Sequence, residues 1–264
     1  MTKGKIMLNE IARLAAEAGA AAMEVYATDF DAATKSDASP VTEADERGER
    51  IILAGLKTAF PDIPVLAEEA AAAGNIPELG SRFFLVDPLD GTKEFINKNG
   101  EFTVNIALIE NGVPTLGVVY APAIDVMFLG GPEGALKLAM KPGETPDLSK
   151  AEPITARSAP AEGLVAVASR SHRSPETDEF LGTLTVAELI SAGSSLKLCL
   201  IADAKADVYP RLGRTMEWDI GAGQAVLEAA GGRVDVFGED APLRYGKAER
   251  GYDNPHFVAW GARG

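Results

Sequence analysis

Apolar residues recur at spacings of three and four through Leu8, Ile11, Ala15, Ala18, Ala22 and Val25, which predicts an amphipathic helix over residues 6 to 27. The polar stretch from Lys35 to Asp45 predicts a loop entering a second helix. That helix carries Ile51, Ile52, Leu56 and Phe60 on its inner face and ends before Pro61. The pattern then changes to short apolar runs. Pro64 to Glu69 and Arg82 to Asp87 predict buried strands that each stop at acids. Phe102 to Ile109 and Pro114 to Tyr120 predict a hairpin, because the joining Asn111-Gly112 supplies two residues that tolerate positive φ. Val126 to Leu129 and Ala135 to Leu138 extend this antiparallel sheet.

The turn-rich segment Lys141-Pro-Gly-Glu-Thr-Pro146 predicts a boundary between a lobe of residues 1–145 and a lobe of residues 146–264. Beyond it, strands at Leu164–Ala168, Ala187–Ile190, Asp207–Tyr209, Arg233–Phe237 and His256–Trp260 alternate with helices. The helices are expected near Thr177–Leu184, Ser195–Lys205 and Ile220–Ala230. The predicted fold class is therefore an α+β lobe followed by an α/β lobe.

Composition narrows the function. A hydrophobic fraction of 46% over 264 residues is ordinary for a soluble globular protein. No run approaches the ~20 apolar residues of a membrane span. Asn9, Glu10 and Arg13 break up any secretory h-region. The lone Cys199 excludes an intramolecular disulfide framework and fits a reducing compartment, the cytoplasm by default. A net charge of −14 argues against nucleic-acid partners, which are held by clustered Lys and Arg. A small phosphorylated ligand stays admissible if divalent cations reverse the local field.

The carboxylates fall where strands end. Glu68 and Glu69 close one strand and Asp87 the next, with Asp90 following in Asp87-Pro-Leu-Asp-Gly-Thr92. Asp45 opens a helix, and Asp219 follows Trp218 just ahead of another. Acids gathered at buried strand ends repel one another unless a cation offsets them. An oxygen-only set suits Mg²⁺. Pro88 is expected to end its strand abruptly. Gly91 permits a tight turn that aims both aspartates and the Leu89 carbonyl inward, and Thr92 adds a hydroxyl. One Asp-Gly turn alone would carry no chemistry; its coincidence with Glu68, Asp45 and Asp219 points to a metal site.

Other phosphatase chemistries lack their parts. A cysteine phosphatase needs Arg six residues after its nucleophile, where Cys199 is followed by Lys205. His172 and His256 are too few for a His-rich zinc site. Gly221-Ala-Gly223 lacks the third glycine of a dinucleotide loop, and no Walker-A sequence occurs. An aspartyl-phosphate enzyme spaces its acids two apart; Asp87 and Asp90 are three apart.

Pro40-Val-Thr-Glu-Ala-Asp45, Val65-Leu-Ala-Glu-Glu69, Val86-Asp-Pro-Leu-Asp-Gly-Thr92 and Trp218-Asp219 together resemble the ordered motif set of the inositol monophosphatase superfamily. The run from Asp87 to Ile106, with Ser169-Arg-Ser-His172 and Gly193-Ser-Ser-Leu-Lys197, is similar to its 3′(2′),5′-bisphosphate nucleotidase (CysQ-type) branch. The resemblance spans almost the whole chain. It implies a two-lobed αβαβα layered sandwich of the inositol monophosphatase/fructose-1,6-bisphosphatase type. It also implies Mg²⁺-dependent hydrolysis of the 3′-phosphate of adenosine 3′,5′-bisphosphate to AMP and phosphate, with the sulfated nucleotide as a second substrate. Li⁺ inhibition and a role around sulfate assimilation follow from the same resemblance.

Site roles follow residue by residue from that resemblance. Glu68, Asp87 and the Leu89 carbonyl would hold a first ion; Asp87 would bridge to a second held by Asp90 and Asp219, with two or three ions in all. Thr92 with Asp45 would position and deprotonate the attacking water, and Glu68 would orient another. Gly91 and Thr92 begin a helix whose N–H groups would hold the phosphate. Ser169, His172, Gly193 and Lys197 resemble nucleotide contacts, although His172 and Lys197 each read alone as solvated residues. Ile220-Gly-Ala-Gly223 departs from the small Ala residues usual after Trp-Asp. The alternatives are an inositol-1-phosphate or fructose-1,6-bisphosphate phosphatase, or a weakly catalytic phosphonucleotide-binding protein on the same fold. The expected location is cytoplasmic, with peripheral attachment to the cytoplasmic side of the inner membrane as the alternative.

Overall fold

The computed structural model describes residues 3–30, 32–34, 40–169 and 174–263. Its helices are α1 (Lys3–Tyr26), α2 (Glu43–Ala59), α3 (Glu68–Ala72), α4 (Thr92–Ile96), α5 (Pro175–Gly182), α6 (Leu196–Ala202) and α7 (Glu217–Ala229). The predicted stripe on α1 is buried through Leu8, Ile11, Ala15, Ala18, Ala22 and Val25. At the start of α2, Thr42 accepts the Ala44 N–H at 3.2 Å while Asp45 accepts the Thr42 N–H at 2.8 Å, a reciprocal cap.

Period-2 alternation divides the central sheet into two buried faces. That sheet has seven strands in the order Val65–Ala67, Arg82–Asp90, Thr103–Glu110, Val113–Ala121, Val126–Gly131, Gly134–Ala139 and Glu152–Ile154. Phe84, Val86, Val104, Ile106, Leu108, Val118 and Tyr120 face α1 and α2. Phe83, Leu85, Ala107, Ile109 and Val119 face the other way, into a core shared with α6, α7 and the second sheet. The second sheet orders its five strands as Val186–Ala192, Leu164–Ser169, Val208–Arg211, Phe257–Trp260 and Arg233–Val236. On its outer face Ala166, Val208 and Val258 meet Leu181 of α5. The result is the expected αβαβα layering. Among the described residues no helix is long and apolar enough to cross a membrane.

The Asn-Gly hairpin forms as predicted, with φ of 52° at Asn111 and 76° at Gly112. Three boundaries beside the acids differ. The strand from Arg82 does not stop at Pro88 but runs to Asp90, with a register shift between Asp87 and Asp90. Val65–Ala67 pairs only with Phe84–Val86, so by Pro88 one side of the strand has no neighbour that needs its missing donor. Glu68 and Glu69 open α3 instead of closing a strand. Asp219 lies in the first turn of α7, which starts at Glu217 because Asp219 caps the Met216 N–H at 2.9 Å.

α7 crosses the central sheet at two glycines. A Cβ on Gly117 would lie 2.3 Å from the Ala222 carbonyl oxygen, and one on Gly130 would lie 2.5 Å from that of Ala225. Backbone thus packs on backbone here, and any side chain would force the helix away from the sheet. Gly130→Ala should lower stability by about 1–3 kcal/mol in denaturant unfolding. Gly182→Ala, where nothing lies within 4 Å of the added Cβ, should be neutral or slightly stabilising. Equal stability of the two variants would contradict this packing.

Candidate active site

The strand ending at Asp90 delivers the chemistry. Asp87 is 1% exposed, and its Oδ1 accepts the Leu89 N–H at 3.0 Å, which holds the bulge after Pro88. Gly91 then adopts φ of 93°, a conformation closed to most side chains, and the chain turns into α4. Thr92 is thereby set beside α2. Its hydroxyl is 3.3 Å from Asp45 Oδ1 and 3.5 Å from the Leu89 carbonyl. Asp45 Oδ2 accepts both the N–H and the hydroxyl of Thr42, at 2.8 and 2.7 Å. The residue that caps α2 therefore also presents a carboxylate oxygen to Thr92.

The segment 194–197 meets this strand through hydroxyls, with the Asn105 amide beside them. Ser194, in the left-handed region at φ 54°, donates to Asp90 Oδ2 at 2.6 Å. Asn105 Nδ2 donates to Ser195 Oγ at 3.0 Å and sits 3.5 Å from Asp90 Oδ2. The Ser195 hydroxyl in turn donates to the Asp219 carbonyl. Lys197, 6% exposed, donates to the Ser194 carbonyl and lies 5.4 Å from the centre of the Tyr209 ring.

Glu68, Asp87, Leu89, Asp90, Gly91, Thr92, Ser169, Lys197 and Asp219 line one cavity of about 470 Å³. Asp45 stands behind Thr92. Gly193 does not line the cavity; its N–H donates to Glu101 at 2.9 Å, and its neighbours Ser194 and Ser195 take the wall. His172 lies outside the described residues. The sequence reading missed Arg211 and Arg214 on the cavity wall, and the polar pair Thr103 and Asn105 beside it. Thr103 and Asn105 are two polar residues on one face of an otherwise apolar strand, and that was a legible signal. The arginines, in a loop-like Pro-Arg-Leu-Gly-Arg run, carried none.

Burial, and then Glu68, Asp90 and Asp219 around it, hold the Asp87 carboxyl well above the usual carboxylate range; Asp87 also shares a hydrogen bond with Glu68. Burial followed by Asp90 and Glu68 does the same to Asp219. Burial pushes the Lys197 ammonium down to about 8, against the pull of Asp90 and with Arg211 assisting. Among the described residues no three Asp, Glu, His or Cys side chains are gathered tightly enough to grip an ion as they stand. Asp90 is turned to Ser194, and Asp219 to the Met216 N–H.

The chain is similar to known proteins over most of its length. A 3′(2′),5′-bisphosphate nucleotidase CysQ of Escherichia coli O157:H7 is 45% identical over 253 residues, covering 95% of this chain and 98% of its own. The CysQ of Salmonella typhimurium is 47% identical over 230 residues, 86% of this chain and 89% of its own. The crystal structure of CysQ from Bacteroides thetaiotaomicron superposes with a TM-score of 0.82 at 39% identity, over 97% of this chain and 98% of that one. An IMPase of Thermotoga maritima superposes at 0.77 with 25% identity, over 97% and 92%. The inositol monophosphatase family pattern matches residues 6–256. With that span matched, and with the layered fold in common, the chain belongs to the inositol monophosphatase family.

Proposed function

We propose that this chain hydrolyses the 3′-phosphate of adenosine 3′,5′-bisphosphate to AMP and phosphate, with Mg²⁺ as cofactor. One observation carries the reading: a single cavity is lined by the acids Glu68, Asp87, Asp90 and Asp219 and by the bases Lys197, Arg211 and Arg214. Acids that repel one another suit cations and, through them, the phosphate to be cleaved. Bases in the same cavity suit a second phosphate that stays on the product. The names of the relatives point to the same substrate class, and the family is metal-dependent, typically through Mg²⁺.

The donor set fits that ion. Every candidate ligand is an oxygen: the carboxylates of Glu68, Asp87, Asp90 and Asp219 and the Leu89 carbonyl. Burial, and then the neighbouring acids, hold the Asp87 and Asp219 carboxyls high, an unfavourable setting that a bound cation would offset. When bound, the ions supply Lewis acidity and a lowered pKa for the attacking water. The chain's own residues do the rest. Thr92 donates its hydroxyl proton to Asp45, which leaves the Thr92 oxygen lone pairs to accept a proton from that water. Two Thr42 donors hold the other Asp45 oxygen, which fixes the carboxylate with Oδ1 toward Thr92. Gly91 and Thr92, at the turn into α4, are assigned to the cleaved phosphate. Lys197, with Ser169 on the same wall and His172 carried over by resemblance, is assigned to the nucleotide.

Metal dependence should be absolute. Exhaustive chelation should abolish phosphate release, and Mg²⁺ should restore it; turnover that survives chelation would sink the reading. Asp87→Asn and Asp90→Asn should each abolish turnover without unfolding the chain. A carboxyl whose folded pKa is raised costs stability above its unfolded pKa and recovers it as pH falls through the folded value. Asp87→Asn should therefore raise the melting temperature of the metal-free protein at neutral pH, as thermal scans would report.

Substrate choice separates from chemistry. Thr92→Ala should lower kcat with little change in KM. Lys197→Ala should lower kcat/KM for adenosine 3′,5′-bisphosphate by about tenfold to a hundredfold, from a charge-assisted contact worth roughly 1.5–3 kcal/mol. Adenosine 3′-phosphate, lacking the second phosphate, should lose far less. Lys197 is charged below about pH 8 and neutral above it. KM for the bisphosphate should therefore climb as pH rises past that value, and this limb should vanish in Lys197→Ala. An equal loss on both substrates would remove Lys197 from the second phosphate. Parallel rates on inositol 1-phosphate and fructose 1,6-bisphosphate complete the substrate test.

A further inference from the structure

One face of α2 touches three separate segments of the site. Asp45, Gly48 and Glu49 are spaced i, i+3 and i+4, so they share that face. Asp45 meets the Thr92 hydroxyl. Gly48 abuts the Asp-Pro-Leu-Asp turn so closely that a Cβ there would lie 3.2 Å from Pro88 Cβ. Glu49, 7% exposed, reaches α3: its Oε2 accepts the Glu69 N–H and its Oε1 the Ala70 N–H, each at 2.8 Å.

The need for that contact lies in α3 itself. Its five residues form little more than one turn, none of them is fully buried, and its N-cap is Ala67, which has no side-chain oxygen to offer. First-turn N–H groups have no intrahelical acceptor, and short helices are not held by propensity alone. A carboxylate from 20 residues away supplies both acceptors. It also places a negative charge at the end of the helix that favours one. The first residue of α3 is Glu68, on the cavity wall.

We propose that Glu49 is a positioning residue: it clamps the first turn of α3 and so sets where the Glu68 carboxylate points. This rests on the reading of Glu68 as a Mg²⁺ ligand. The α2 helix then holds both the proton-accepting pair, Asp45 with Thr92, and one of the ligands in a single register. Glu49 touches neither substrate nor ion and acts only through Glu68.

The test uses Glu49→Gln, which keeps the side-chain shape but leaves one oxygen to accept two N–H groups. In the substrate-free protein, the Glu69 and Ala70 amides should exchange with solvent faster, and the calorimetric Mg²⁺ affinity should fall by about tenfold, as for other groups that orient a ligand. At saturating Mg²⁺ the KM for the nucleotide should stay within about twofold of wild type, since the bases that hold the second phosphate are untouched. Glu49→Asp, shortened but still charged, gives the same readouts at intermediate values should the Gln variant prove too unstable to purify. Asp207→Asn serves as a control, because Asp207 is as buried and also accepts a backbone N–H, that of Val165, away from the cavity. It should lower the melting temperature and leave Mg²⁺ affinity unchanged. Weakened Mg²⁺ binding in Asp207→Asn to the same degree would show a mere stability effect and overturn the positioning role. Wild-type Mg²⁺ affinity in Glu49→Gln beside a weakened one in Glu68→Gln would overturn it alone. Unchanged affinity in Glu68→Gln would remove Glu68 from the ligands, and this role with it.

Discussion

Asp87 is a carboxyl with almost no access to water, hydrogen-bonded to Glu68 and within the field of Asp90 and Asp219. Bringing Glu68, Asp90 and Asp219 around a buried carboxyl is unfavourable, and the surrounding structure is organised around tolerating it. The Leu89 N–H meets Asp87, Ser194 meets Asp90, and the Met216 N–H meets Asp219. Each donor comes from a different segment, and each segment is held in turn. Glu217, fully buried, accepts the Gly246 and Lys247 N–H groups and the Lys247 ammonium, which ties the start of α7 to the chain that follows it. The grouped acids are thus the constraint, and the donors brought to them from separate segments are the response.

That response explains why the site belongs to neither sheet alone. The central sheet carries Asp87 and Asp90, while α7 carries Asp219 from the layer between the sheets. Asn105 and Ser195 link the two through one hydrogen bond, and Ser195 passes the connection on to the Asp219 backbone. The close crossing at Gly117 and Gly130 keeps α7 near enough for these short side chains to reach. Packing far from the chemistry and geometry within it are therefore one problem.

Much of this was legible in the sequence where the pattern is local. The helix stripe on α1, the Asn-Gly hairpin and the strand alternation follow from side-chain periodicity and turn chemistry, and they appear as expected. The acids Glu68, Asp87, Asp90 and Asp219, read from their spacing, line one cavity. What was not legible depended on partners distant in sequence. Pro88 looked like a strand end because nothing local revealed that the neighbouring strand stops at Ala67. Gly193 looked like a contact, whereas its N–H is taken by Glu101, 92 residues away. Ser194 and Arg211 gained importance only when the segments that carry them were laid against the strand ending at Asp90. Glu49 had no motif of its own, because its partners are backbone N–H groups that any sequence would supply.

The same physics resolves an apparent conflict between charge and substrate. A chain with net charge −14 would repel a doubly phosphorylated ligand at long range, and screening limits that repulsion to about 8 Å at physiological salt. Inside the cavity the relevant charges are local. Lys197, Arg211 and Arg214 face the same space as the acids, and the buried Lys197 holds its proton less firmly than an exposed lysine. A desolvated ammonium gains more from a phosphate than a solvated one, because the contact replaces little water. On the proposed assignment, a ligand with one phosphate would satisfy only the acidic side of such a cavity and not the basic wall. A ligand with two phosphates at the right separation matches both. Discrimination on that assignment follows from the buried Lys197 ammonium missing its phosphate with the wrong ligand, more than from added attraction to the right one.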